Sequence, residues 1–109
     1  MSPSRSTTIE QLRAELWPQA APATRANVEE LAGLLERLRT NRGDDELRAA
    51  AIACAHAVAG SAGVYGFADA ARAAQQVETT LRTRELRDDA IDACLANVEV
   101  MRVELQVSR

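Results

Sequence analysis

The chain has no lysine. All 13 of its basic residues are arginines, set against 16 acidic residues, which leaves a formal net charge of -3. No basic stripe is present, so nucleic-acid binding is a poor class for it. The same lack argues against a basic amphipathic helix lying on a membrane surface. Aromatic residues make up only 3% of the chain, and β-branched residues are few, which speaks against a sheet protein. The two cysteines, Cys54 and Cys94, are far apart and fit no zinc spacing. They read as buried, reduced thiols used as small apolar side chains. The longest uncharged run, Ala49 to Ala68, is broken by His56, Gly60, Gly63 and Gly66. It reads as too weakly apolar for a membrane span, and no signal peptide is visible. A cytoplasmic protein that neither binds nucleic acid nor enters a membrane is expected.

What is abundant is alanine, leucine, arginine, glutamate and glutamine, a composition that favours helices. At 109 residues, one domain is the default, able to bury roughly 65% of its unfolded surface. Residues 1–8 are rich in Ser, Thr and Pro and are expected to be a flexible N-terminus, with a single domain over 9–109. Ile9, Leu12, Leu16 and Trp17 recur at helical spacing, and Pro18 and Pro22 are expected to end that short helix. A second helix is expected from about Thr24 to Arg39, with Val28, Leu31, Leu34, Leu35 and Leu38 as its apolar stripe. Gly43 and Asp44 then suit a helix end and the next N-cap. A third helix starts near Asp45. A fourth runs from about Phe67 to Thr83 with Ala70, Ala74, Val77 and Leu81 on one face. A fifth follows Asp88-Asp89, whose carboxylates suit its start, with Ile91, Cys94 or Leu95, Val98, Met101 and Leu105 inward. The expected architecture is all-α, an antiparallel up-down four-helix bundle with an additional short N-terminal capping helix.

His56 is the one histidine in the sequence. At about 100° per residue, Leu47, Ala51, Cys54, Val58, Ala62 and Tyr65 fall on one side of the third helix, and His56 falls opposite them. Its neighbours on the outer face are Ala49, Ile52, Ala53, Ala59, Gly60 and Gly63. A solvated helix face ordinarily carries charged residues, yet from Leu47 to Gly63 the only charged residue is Arg48. Gly60 inside a helix costs about 1 kcal/mol relative to alanine. An exposed face kept small and apolar in this way points to a docking surface around His56, made by Ile52, Ala53, Ala59, Gly60 and Gly63. A metal site is not expected, because one histidine and two buried cysteines have no flanking carboxylates at helical spacing. Ser61 has no sequence partners for a triad and reads as a small helix residue.

The run His56-Ala-Val-Ala-Gly60-Ser61-Ala62-Gly63-Val-Tyr-Gly66-Phe67 resembles the signature of histidine-containing phosphotransfer (HPt) domains. Val77-Glu78 is similar to the Leu-Glu pair on the following helix of many members. The resemblance covers about Val28 to Leu105. One position departs from it: Ala59 stands where the family has a lysine. The resemblance implies a stoichiometric phosphoryl carrier, not an enzyme, acting in a two-component phosphorelay. It implies that His56 is the phosphoryl acceptor and that Glu78 orients the imidazole. Gly60 would clear space beside the ring. Gln75, one turn before Glu78, is a candidate for the phosphoryl oxygens, and Arg82, one turn after it, a candidate for the missing cation. Partners would be a response-regulator receiver domain, a histidine kinase, or both. No cofactor is expected on this chain, and Mg2+ is expected on the receiver. A monomer is expected. The alternative function is an adaptor that cannot be phosphorylated and regulates by occupying a receiver or kinase.

Overall fold

A computed structural model describes residues 5–106 apart from Arg84. Four α-helices make up the fold among the described residues: α1 (Arg5–Leu38), α2 (Asp45–Val64), α3 (Ala68–Leu81) and α4 (Asp88–Leu105). Each packs against its neighbours in the order of the chain, and α4 closes the ring against α1. Short turns between long amphipathic helices leave antiparallel neighbours as the natural packing. The inward stripes are those read from the helical period. Val28, Leu31, Leu35 and Leu38 of α1 meet Ala51, Ala55, Val58 and Ala62 of α2. Ala70, Ala74, Val77 and Leu81 of α3 and Ile91, Cys94, Val98, Met101 and Leu105 of α4 complete the core. Cys54 and Cys94 are both buried, free thiols.

The expected separate capping helix is not present. The sequence before Pro18 and the sequence after Pro22 form one continuous helix, and its first turn begins at Arg5. Residues 1–4 of the expected flexible segment lie outside the described residues. Each proline removes a backbone N–H, and a proline in a helix interior costs about 3 kcal/mol. Two features offset that cost. The unpaired carbonyls of Ala14 and Pro18 belong to exposed residues open to water. Trp17 and Ala21, around Pro18, are held by packing: Ala21 is buried, and the Trp17 ring lies 5.4 Å from Tyr65 and 4.6 Å from Phe67. The only three aromatic residues in the chain thus meet at one point and fasten α1 to the α2–α3 turn.

Beyond that point α1 runs on past the bundle. At 1.5 Å per residue its 34 residues span about 51 Å. The molecule is 59 Å long and 21–24 Å wide. Its radius of gyration is 15.4 Å, against about 13 Å for a compact domain of this size. Ile9, Leu12 and Leu16, which share the helical spacing of a buried stripe, are therefore 45–50% exposed. They recur with the right period but have no element to pack against.

The helix ends are closed largely by side chains from other elements. Asp44 Oδ1 accepts from Leu47 N at 3.0 Å and caps α2. Glu104 of α4 accepts from Ala70 N at 2.8 Å at the start of α3. Arg25 of α1 donates to the Leu105 carbonyl at the end of α4, and Arg48 of α2 donates to the Leu81 and Thr83 carbonyls at the end of α3. The start of α4 differs from expectation. Its N-cap is Arg87, without a side-chain bond, and Asp88 and Asp89 lie in the first turn, where their charge still favours the helix.

By length and mean hydropathy, 1.4 over its most apolar window, α2 is the one described helix able to cross a bilayer. That apolarity comes from alanines, and α2 is packed between α1 and α3.

Replacement of Leu35 by alanine, at a fully buried site, is expected to cost about 2–5 kcal/mol. Leu12→Ala, on the overhang, is expected to stay within about 0.5 kcal/mol of the parent. Urea unfolding of both variants followed by circular dichroism measures the difference.

Candidate functional site

The local sequence sets α2 up to display one side chain. Asp44 starts the helix, with Asp45 and Glu46 in its first turn. Gly66 stops it, at φ +84°, where a residue with a Cβ is strained. Phe67 N bonds the Ala62 carbonyl at 2.8 Å and Gly66 N bonds the Gly63 carbonyl at 3.3 Å, the paired bonds of a Schellman turn. This explains the glycine ten residues after His56: it ends the helix and turns the chain into α3. Ser61 has a structural place. Its hydroxyl lies 2.7 Å from that of Thr24, and Thr24, itself buried, donates to the Ala20 carbonyl.

Between those ends, His56 stands out from the bundle with its side chain 77% exposed. Ala49, Ala53, Gly60 and Gly63 are exposed beside it, and Ile52 and Ala59 are half-buried. The outer face predicted from the wheel is observed at Ala49, Ala53, His56, Gly60 and Gly63, whereas Ile52 and Ala59 also pack against the core. A Cβ added at Gly60 or Gly63 would meet nothing within 4 Å. Neither glycine is required for packing inside this chain.

Across the α2–α3 seam, Glu78 lies at the edge of the core with its side chain 18% exposed. Its Oε1 is 3.2 Å from His56 Nδ1. Its Oε2 accepts from Arg82 Nη2 at 2.9 Å and from Arg82 Nε at 3.3 Å. The Arg82 guanidinium, and after it His56, hold the Glu78 carboxyl below the usual carboxylate range, while partial burial works in the opposite direction. An ionised carboxylate can only accept, so the bond requires the proton on Nδ1. In the tautomer with its proton on Nδ1, Nε2 is the nitrogen that carries the lone pair.

The structure brings His56, Glu78 and Arg82 together in a line across two helices. Gln75 is exposed one turn before Glu78 and lines a groove of about 410 Å³ between α3 and α4, with Arg72, Gln76, Thr79, Thr80, Ala93 and Asn97. Ala59 leaves only a methyl group beside the ring. A second groove, of about 400 Å³, lies between the first turns of α2 and the end of α3 and is bounded by Asp45, Arg48, Ile52, Leu81, Arg82 and Thr83. Sequence reasoning missed that Arg48 shares this groove with Arg82. Its tie to the end of α3 depends on how the two helices meet, and nothing in the spacing signals it.

Fold and site define a class: a small helical bundle that holds one oriented imidazole out to solvent on a bare helix face. The Hpt domain model matches residues 6–109, essentially the whole chain. The chain belongs to the Hpt domain family, and with it to the histidine phosphotransfer systems of two-component phosphorelays, whose Hpt domains act as phosphoryl carriers. No curated protein and no solved structure matched the chain.

The sign of the Glu78 contribution to stability follows from its lowered carboxyl. The stabilisation is present above the ordinary value near pH 4.3 and is lost as the pH falls through the lower value of the folded state. Glu78→Gln keeps the shape and removes the charge. It is expected to be less stable than the parent at pH 7, with a gap that shrinks with added salt and is narrower at about pH 3, below the ordinary carboxylate range. Urea midpoints at the two pH values test this.

Proposed function

We propose that His56 is the phosphoryl acceptor of a cytoplasmic, monomeric carrier that exchanges the group with receiver-domain aspartates or takes it from a histidine kinase. The observation that carries this reading is the exposed imidazole with Nδ1 3.2 Å from Glu78 Oε1. In the step from a phosphorylated receiver, the Nε2 lone pair attacks phosphorus. The Nε2–P bond forms, the acyl phosphate O–P bond breaks, and the aspartate leaves as a carboxylate with the electron pair. The ring gains positive charge at that moment, and Nδ1–H faces Glu78, which favours the charged product. Transfer to a second receiver is the same step reversed. Such chemistry needs alignment and charge neutralisation more than covalent help from the carrier. Mg2+ would come with the receiver.

The bare face around the ring supports docking of a globular partner. Gly60 and Gly63 weaken α2 by about 1 kcal/mol each relative to alanine, although nothing within this chain requires their smallness. An incoming receiver does, since its aspartate must reach Nε2 in line. Ile52, Ala53 and Ala59 extend the same surface. Gln75, at the lip of the α3–α4 groove, is in a position to meet the receiver rather than the ring. Ala59 favours a second reading, an adaptor that binds a receiver or kinase without accepting its phosphoryl group.

Incubation with phosphorylated receivers and active kinases from the same genome is expected to place an acid-labile, alkali-stable phosphoryl group on the protein. The label should vanish in His56→Gln. Gly60→Arg is expected to keep its helical circular dichroism and lose the transfer. A receiver that binds the parent chain without labelling it would establish the adaptor instead.

A further inference from the structure

The Glu78 carboxylate serves two partners at once, and they are not equally fixed. Glu78 itself is mostly covered, at 18% exposure, whereas the Arg82 side chain is 61% exposed. With its guanidinium in water, Arg82 holds this partner only modestly and can exchange it. Arg82 also forms one wall of the groove between the first turns of α2 and the end of α3. Ile52 stands one helical turn before His56 on α2, and Arg82 one turn after Glu78 on α3, so that groove lies one turn from the His56–Glu78 pair. The other arginine in its wall, Arg48, is committed to the carbonyls of Leu81, Thr83 and Arg42. The carbonyls orient Arg48 along the helix end. Among the described residues, the Arg82 side chain bonds only Glu78 Oε2.

A phosphoryl group on Nε2 would bring close to two negative charges to this place, a short distance from the Glu78 carboxylate. Ala59 offers no charge beside it, and the chain has no lysine to send. We infer that Arg82 is the phosphoryl-binding residue of the site: when His56 carries the phosphoryl group, the guanidinium turns from Glu78 Oε2 to the phosphoryl oxygens. The inference rests on His56 being the acceptor. The exchange has two consequences. The guanidinium fork pairs with phosphoryl oxygens in a way that suits both charge and shape. The Glu78 carboxylate is left to the Nδ1–H of a ring that has become more positive. One cation thereby separates two anionic groups that would otherwise repel across the imidazole.

Phosphoramidate tests this without a protein partner. It phosphorylates imidazole directly: its P–N bond breaks, ammonia leaves with the electron pair, and the Nε2–P bond forms. Phosphorus NMR then reads the titration of the attached group, whose second ionisation lies near pH 6 in phosphorylated hydroxyl side chains. In Arg82→Ala that ionisation is expected to move up by about half a unit, roughly threefold in the proton equilibrium. Arg82→Lys should recover most of the shift, and the Arg82 Nε–H signal of the parent should move on labelling. Identical phosphoryl titrations in the parent and Arg82→Ala, with both folded by circular dichroism, would overturn the inference while leaving His56 as acceptor. Failure of phosphoramidate to label His56 in the parent would overturn the acceptor reading and the inference with it. Inorganic phosphate added to the unlabelled protein should leave the Arg82 signal in place. An equal movement there would mean a general anion site and would count against the exchange.

Discussion

The hydrogen bond between His56 and Glu78 organises the site, and the bundle is arranged so that this bond can form. It joins two helices, so it requires α2 and α3 to meet at one register. That register is secured by the tight turn at Gly66, which sends the chain from one helix into the next through paired backbone bonds. It is secured again at the opposite end, where Arg48 of α2 closes the carbonyl end of α3. With both ends held, a glutamate at the boundary of the core is carried to the one histidine of the chain. The carboxylate then decides which ring nitrogen bears the proton.

Small residues make this arrangement possible on both faces of α2. Inward, Ala51, Ala55 and Ala62 let α1 and α3 approach closely, and Val58 fills the space between them. Outward, Ala53, Gly60 and Gly63 leave the imidazole standing alone. The inner alanines are explained by packing. The outer glycines are not, because a Cβ at either would meet no described atom within 4 Å. A helix that accepts that loss of propensity on its solvent side is shaped by something outside itself. The mean hydropathy that would let α2 cross a bilayer has the same origin: its outer face is bare where a solvated helix carries charge.

The overhanging half of α1 shows how far local rules can be overridden. Two prolines four residues apart would end a helix in isolation. Here the chain stays helical through them, because the aromatic cluster holds Trp17, Ala21 and Thr24 are buried, and the residues whose carbonyls lose a partner, Ala14 and Pro18, are exposed. The apolar spacing of Ile9, Leu12 and Leu16 marks an amphipathic helix, but amphipathic spacing carries no information about whether a partner element exists.

The sequence by itself determined α2, α3 and α4, the inward faces of the four helices and the exposed position of His56. Those are properties of a single helix with a fixed period, and residues a few positions apart express them. Leu31, Leu35 and Leu38 had to face inward together, and His56 had to face away from Ala51 and Val58, whatever the rest of the chain did. The link to Glu78 was suggested by family resemblance, but its length and its bond to Nδ1 were decided only by the crossing of α2 and α3. The same is true of the Arg82 bond to the second carboxylate oxygen, of the groove that Arg48 shares with Arg82, and of the continuation of α1 through Pro18 and Pro22. These outcomes depend on side chains distant in sequence meeting at one place. Helical periodicity cannot encode that, because it describes each helix alone and says nothing of the register between two.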